Sequence, residues 1–342
     1  MDFERKYLIY KNKYLTKKLK LLKGGYQEPE YPLENETKTF VLSLADKPKI
    51  NELTISEARK VLKDIQHDKS YLDYVDITEI DDENNRLKIF RPKNVHYSLP
   101  IVMYYHGGGW ILGDYETHGR LMSEIAINAN VAVVYVGYTL APEAKYPKQL
   151  IQGYKAMAYI YENADKFGLN KKIIMLAGDG VGGNMAISMG IMAGKIMKPV
   201  NFKIKISSLI LMYPVTNGLM NTESYEIYKN GPWLTKDSMT WFFDNYASEL
   251  ERSKPGITVN DNEIPEINDV LIITAENDVL RDHGEMYARK LEASKVNVTS
   301  VRFDGTIHDF LMLDPLKNTP AIKAALQLII SFIIEVVAAK MA

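Results

Sequence analysis

The sequence predicts an α/β protein, a mostly parallel central sheet with helices on both faces. Two observations predict it. Short, continuously apolar runs at 101–105, 131–136 and 270–274 alternate with longer segments of helical period, the pattern of strands buried on both faces. Two apolar runs also end in glycine-rich corners, His106-Gly107-Gly108-Gly109-Trp110 and Gly178-Asp179-Gly180-Val181-Gly182-Gly183, and the second leads into a helix. With 342 residues, 46% of them hydrophobic and 25% charged, the chain can bury one substantial core.

Taken in order, residues 7–22 read as a helix. Tyr7, Tyr14 and Leu21 recur at intervals of seven, as do Leu8, Leu15 and Leu22, and Gly24-Gly25 end the pattern. Pro29 and Pro32 mark a linker, and Thr54-Ile55-Ser56-Glu57-Ala58 opens a helix to about residue 67. Strands at 74–80 and 86–91 flank a polar turn. Strand 101–105, helix 116–130, strand 131–136, helix 147–167, strand 172–177, helix 182–197 and strand 204–213 follow. A lid-like insert is expected over 215–260, then strand 270–274, helix 282–293, strand 296–303 and a final helix. That last helix is apolar over 326–339 except for Gln327, Ser331 and Glu335, which with Lys323 make one polar stripe on a helix expected to be mostly buried. No internal repeat is visible. The domain reading is a leader helix at 1–25, a linker and N-terminal lid helix at 26–70, and a main domain at 71–342.

Composition excludes several chemistries. The absence of cysteine removes disulfides, thiolate metal sites and a cysteine nucleophile. No metal-ligand cluster stands out, and no cofactor is expected. The N-terminus lacks the uninterrupted apolar stretch of a signal peptide, and no run of 18 apolar residues predicts a membrane span, so an intracellular location is expected. The net charge is −1, yet Arg5, Lys6, Lys11, Lys13, Lys17, Lys18, Lys20 and Lys23 crowd the leader against only Asp2 and Glu4. A basic arm on an acidic body points to an anionic or self-recognising contact by the arm. Nothing else argues for nucleic acid.

The glycine corners carry the chemistry. Three glycines after a strand let backbone N–H groups approach a substrate oxygen with no Cβ in the way, as an oxyanion hole requires. The second corner has the strand–turn–helix setting of the G-x-S-x-G nucleophile elbow but reads G-x-G-x-G, with Gly180 in the serine's place. Tyr138-Thr139-Leu140-Ala141-Pro142-Glu143, Asn277-Asp278-Val279-Leu280-Arg281-Asp282, Gly305-Thr306-Ile307-His308-Asp309-Phe310 and Gly231-Pro232-Trp233-Leu234-Thr235 complete the set.

With these motifs in this order, the chain resembles the hormone-sensitive-lipase-like family of α/β-hydrolases over roughly residues 70–340. The resemblance implies the α/β-hydrolase fold with a helical lid, ancestry as a carboxylic ester hydrolase and no cofactor. It implies oxyanion donors from the His106-Gly107-Gly108-Gly109 loop together with the amide of Val181. Asp278 would hold the imidazole of His308, and His308 would be general base and acid; by spacing alone Asp282 could fill the acid role. His67, His96, His118 and His283 read as structural or solvated. Gly180 occupies the nucleophile position without an attacking atom, and Ser188, Thr216 and Asp179 are no obvious substitutes. Val181 also departs from the small alanine common in the family, and two adjacent departures point to natural divergence. The expected partner is a small acyl ester or carboxylate, and a homodimer is left open.

Three functions follow as expectations. The first is a disabled hydrolase that binds rather than cleaves, and the second a hydrolase in which Asp278 and His308 activate water directly. The third uses the fold as a virion scaffold, because residues 7–25 resemble a leader found on proteins of giant DNA viruses of amoebae. That resemblance implies a virus factory or virion as the destination.

Overall fold

The computed structural model describes residues 33–81, 86–195, 203–259 and 263–341; the leader lies outside them. Strands β1 (Val75–Asp81), β2 (Arg86–Pro92), β3 (Leu99–Tyr105), β4 (Ala132–Val136), β5 (Leu169–Asp179), β6 (Ser208–Met212), β7 (Asp269–Asn277) and β8 (Asn297–Ile307) form one sheet. Their order is β1-β2-β4-β3-β5-β6-β7-β8. β1 pairs antiparallel with β2 and β2 with β4; every later pair is parallel. The α/β class expected from the alternation holds. β3, β4 and β6 are buried along their whole length, which is why they read as unbroken apolar runs.

Around the sheet lie α1 (Asn35–Ser43), α2 (Ile55–Ile65), α3 (Gly119–Ala129), α4 (Lys148–Glu162), α5 (Val181–Ala193), α6 (Glu223–Ile227), α7 (Lys236–Tyr246), α8 (Arg281–Ala293) and α9 (Pro320–Met341). Thr54 opens α2 through a reciprocal capping box with Glu57. Arg59 on α2 then donates to the carbonyls of Ile111 and Ala141 and pairs with both oxygens of Glu143, fastening this N-terminal helix to the turn after the glycine loop.

Several expected bounds shift, β6 beginning only at Ser208 and α5 ending at Ala193, and three differences matter most. The helix placed at 147–167 stops at Glu162, and a 3-10 turn to Phe167 ends at Gly168, whose positive φ of 60° turns the chain into β5. β8 runs four residues beyond the expected 303, to Ile307, and so delivers His308 directly from its end. The C-terminal helix is not mostly buried: Ile322, Ala325, Ile329, Ile330, Ile333 and Val336 face inward, while Ile334 is 49% exposed. It covers β7, β8 and α3 from outside, so only one stripe of it meets protein. Among the described residues it is the helix whose length and apolar content would suit a bilayer, with 39% of its most apolar window buried.

The centre of the fold is a close backbone approach. A Cβ on Gly182 would stand 1.9 Å from the carbonyl oxygen of Tyr105, and one on Gly178 would stand 2.2 Å from the carbonyl oxygen of Gly182. These glycines let α5 press its first turn onto the ends of β3 and β5. Helix propensity alone makes Gly182→Ala a gain of about 1 kcal/mol. The backbone clash decides the sign, so this variant is expected to lose about 3 kcal/mol or more in chemical denaturation.

Candidate active site

Four chain segments meet at the C-terminal ends of the parallel strands, the usual place for ligands in such sheets. They are the glycine loop after β3, the corner between β5 and α5, the turn after β7 and the turn after β8. Gly180 is the corner, with φ 52° and ψ −117°. L side chains rarely adopt this backbone, at a cost of roughly 1–3 kcal/mol. The amide of Gly180 donates to Met212 O at 2.9 Å and its carbonyl accepts from Val215 N at 3.0 Å, so the strained turn is pinned on both sides.

Asp278 and His308 come together as expected. His308 Nδ1 lies 2.7 Å from Asp278 Oδ2, and the other Asp278 oxygen accepts from Leu280 N at 2.9 Å. Asp282 does not reach the histidine. Its carboxylate accepts from Ser224 N at 2.7 Å and Arg281 Nε at 3.1 Å, holding α6 in place. His308 Nε2 points at Gly180, where an added Cβ would be 3.3 Å away and would otherwise meet only His308 Cε1 within 4 Å. Beside it lies a carboxylate that the motif reading passed over, with Asp309 Oδ1 3.3 Å from His308 Nε2. Burial pulls the imidazole pKa down, but Asp278 and Asp309 outweigh it and push it up to about 9. Both carboxylates therefore favour the protonated form of the imidazole.

The glycine loop divides into two functions. Gly108 (φ 97°) and Gly109 (φ 64°) line the pocket, and among the described residues their amides donate to no protein acceptor. Val181 follows Gly180 at the start of α5 and also lines the pocket. These three N–H groups can receive a carbonyl oxygen or an oxyanion. The expectation for the first two loop residues is corrected. The Gly107 amide is already committed to Asp179 Oδ1 at 3.0 Å, and a Cβ on Gly107 would stand 2.1 Å from that carboxylate. His106 is buried, stacks on Tyr138 at 4.3 Å and places Nδ1 2.8 Å from Gly107 O. Burial and the nearby His118 push its pKa down to about 4, so it is neutral and supports the loop from behind.

Asp179 also receives Tyr104 Oη at 2.7 Å and lies 3.2 Å from His118 Nε2. Although burial opposes the charge, His118 and Tyr104 hold its carboxyl below the usual range. His118 is buried against Asp179 and does not face His308. His283 is buried against Leu219 O, and His67 and His96 are exposed. Ser188 bonds the Asn184 carbonyl within α5 and Thr216 bonds the His283 carbonyl, so neither is presented to His308.

Above these groups lies a cavity of about 800 Å³ bounded by α1, α2, α7 and the 230–235 segment. Leu53, Leu112, Val215, Met239 and Phe242 give it apolar walls. Trp110, fully buried, stacks on Tyr246 of α7 at 4.0 Å and ties that wall to the glycine loop. Trp233 reaches the floor, where its Nε1 donates to Asp309 Oδ2 at 3.0 Å. No grouping of His, Asp or Glu suited to a metal occurs among the described residues.

Fold and site together define a class, and the chain belongs to the family of the alpha/beta hydrolase fold, which matches residues 102–312. It is 42% identical over 339 residues to a protein of Acanthamoeba polyphaga mimivirus whose name describes an alpha/beta hydrolase, covering 96% of each chain. A carboxylesterase of Mycobacterium tuberculosis is 29% identical over 264 residues, covering 74% of this chain and 77% of that one. The crystal structure of a thermostable esterase from Pseudomonas putida superposes with a TM-score of 0.83 at 34% identity, over 91% of this chain and 98% of that one.

Two outcomes follow from the geometry. Gly180→Ser should melt lower than the parent, by roughly 1–3 kcal/mol of unfolding free energy, because serine must adopt the corner's positive φ. The raised His308 pKa contributes stability that is full below about 6.5 and is lost as pH rises through about 9. His118, also raised, adds in the same direction. The melting temperature should therefore fall from about pH 6.5 to about pH 9, and Asp278→Asn should flatten that slope.

Proposed function

We propose that this chain is a carboxylic ester hydrolase by descent that retains an acyl pocket, binds an ester or carboxylate there, and cleaves esters very weakly or not at all. One observation carries the reading: the histidine nitrogen that would deprotonate a nucleophile faces the bare Cα of Gly180. The esterase names among the relatives support the ancestry, and the three free amides beside an apolar cavity support the pocket. Without a side chain at 180 no acyl-enzyme forms at that position. Loss of a serine nucleophile costs on the order of 10⁶ in turnover, leaving about 10³–10⁴ over water from the remaining donors and binding. Direct water activation by His308 needs its neutral form, and the two flanking carboxylates favour the charged one.

The test is p-nitrophenyl ester hydrolysis by the parent, by His308→Ala and by Gly180→Ser. The parent is expected to match the His308→Ala control, and the serine variant to exceed both and to label with a fluorophosphonate. Because the base must be neutral, the serine variant's rate should climb as pH rises toward about 9. Parental hydrolysis clearly above the His308→Ala control, or labelling of the parent at a pocket side chain, would overturn the reading.

A second reading, a fold carried as a virion or virus-factory component, draws on the mimivirus relative, which matches 96% of the chain. Fusing residues 1–25 to a fluorescent reporter should relocate it in virus-infected amoebae. An unchanged distribution removes this reading.

A further inference from the structure

Asp309 is the one charged group of the cavity floor that the proposed binding reading leaves unused. It lines the cavity beside His308, with its side chain 14% exposed. Its backbone has a positive φ of 64°, a conformation unusual for a side-chain-bearing residue, and its carboxylate lies against His308 Nε2. Trp233 Nε1 fixes the second oxygen, and the Trp233 ring packs on Phe40 of α1 at 5.5 Å. The carboxylate is therefore held between His308 and a tryptophan that is itself packed on α1.

Its charge alters what the site can accept. Asp278 at 2.7 Å and Asp309 at 3.3 Å both face the imidazole, so two carboxylates already flank a protonated His308 before a ligand arrives. Beneath the floor Asp179 offsets His118, and the buried phenols of Tyr104 and Tyr213 carry no charge. The exposed lining residues Lys47, Lys49 and Lys60 are matched in number by Asp46, Glu57 and Asp64. Among the described residues lining the cavity, cationic groups do not outnumber carboxylates. The amides of Gly108, Gly109 and Val181 remain, and they suit a carbonyl oxygen without requiring a countercharge.

Resting on the acyl-pocket reading above, we propose that Asp309 makes the pocket selective for uncharged carbonyl ligands: a neutral ester is admitted, and the matching carboxylate enters only by taking up a proton. A carboxylate seated on the three amides would share the floor with Asp309, and two carboxylates in one site cannot both stay ionised cheaply. Burial already pushes the Asp309 carboxyl upward, which makes it the proton's natural holder.

The experiment titrates the full chain with methyl hexanoate and with hexanoate by calorimetry at about pH 8 and about pH 6, in the parent, Asp309→Asn and Trp233→Phe. In the parent at about pH 8 the ester should bind about tenfold or more tighter than hexanoate. Lowering the pH should strengthen hexanoate alone, with heats in two buffers of different ionisation enthalpy reporting proton uptake. Asp309→Asn should narrow the gap and lessen the uptake, leaving His308 as the remaining proton acceptor, with ester affinity within about twofold. Trp233→Phe removes the donor that favours ionised Asp309, so hexanoate should gain relative to the ester at about pH 8. Hexanoate binding to the parent as tightly as the ester, or an ester-to-hexanoate ratio unmoved by Asp309→Asn, overturns the selectivity while the pocket stands. Failure of both ligands to bind the parent and the folded asparagine variant overturns the pocket and the selectivity together.

Discussion

The buried carboxylate of Asp179 is the interaction on which the rest of the site depends. It is the last residue of β5, fully buried, and it takes hydrogen bonds from Tyr104 at the end of β3 and from the Gly107 amide in the next loop, with His118 of the α3 approach 3.2 Å away. A carboxylate withdrawn from water costs several kcal/mol unless it is paired and its lone pairs are satisfied. Here the satisfaction comes from the segments that must be aligned for ligand binding. Removing any donor leaves a charge in the interior, so the glycine loop cannot drift from the corner without that cost.

The same arrangement explains why some glycines differ in meaning from others. Gly107 is bare because Asp179 comes within 2.1 Å of where its Cβ would be, and Gly182 because β3 presses on α5. Gly180 has almost open space in front of it, bounded by His308 alone. The first two are demanded by packing. The third is demanded by its backbone angles, or permitted by them, and the emptiness before it makes the position chemically consequential.

Much of this was legible along the chain. Apolar runs ending in glycine announced β3 and β5, because a parallel strand buried on both faces leaves little choice of residue. Asp278 and His308 were legible through the motifs around them, and the contact of 2.7 Å joins them. Asp309 and Trp233 lie in the 305–310 and 231–235 motifs with no role legible there, since an aspartate after a histidine says nothing of which way its carboxylate turns. The exposure of α9 was likewise hidden: a helix with a narrow polar stripe reads as buried, and only its place outside the sheet leaves Ile334 in solvent.

By itself the sequence determined the class of fold, the order of its elements and the absence of a hydroxyl at position 180, since all three follow from local period and residue identity. The tertiary structure alone decided which amides are free, which carboxylate reaches the second nitrogen of His308 and which histidine stays neutral. Those outcomes turn on distances of about 3 Å between residues far apart in the chain, such as Gly107 and Asp179 or Trp233 and Asp309. Hydrogen bonds and charges are settled over such distances, and no pattern along a single chain records them.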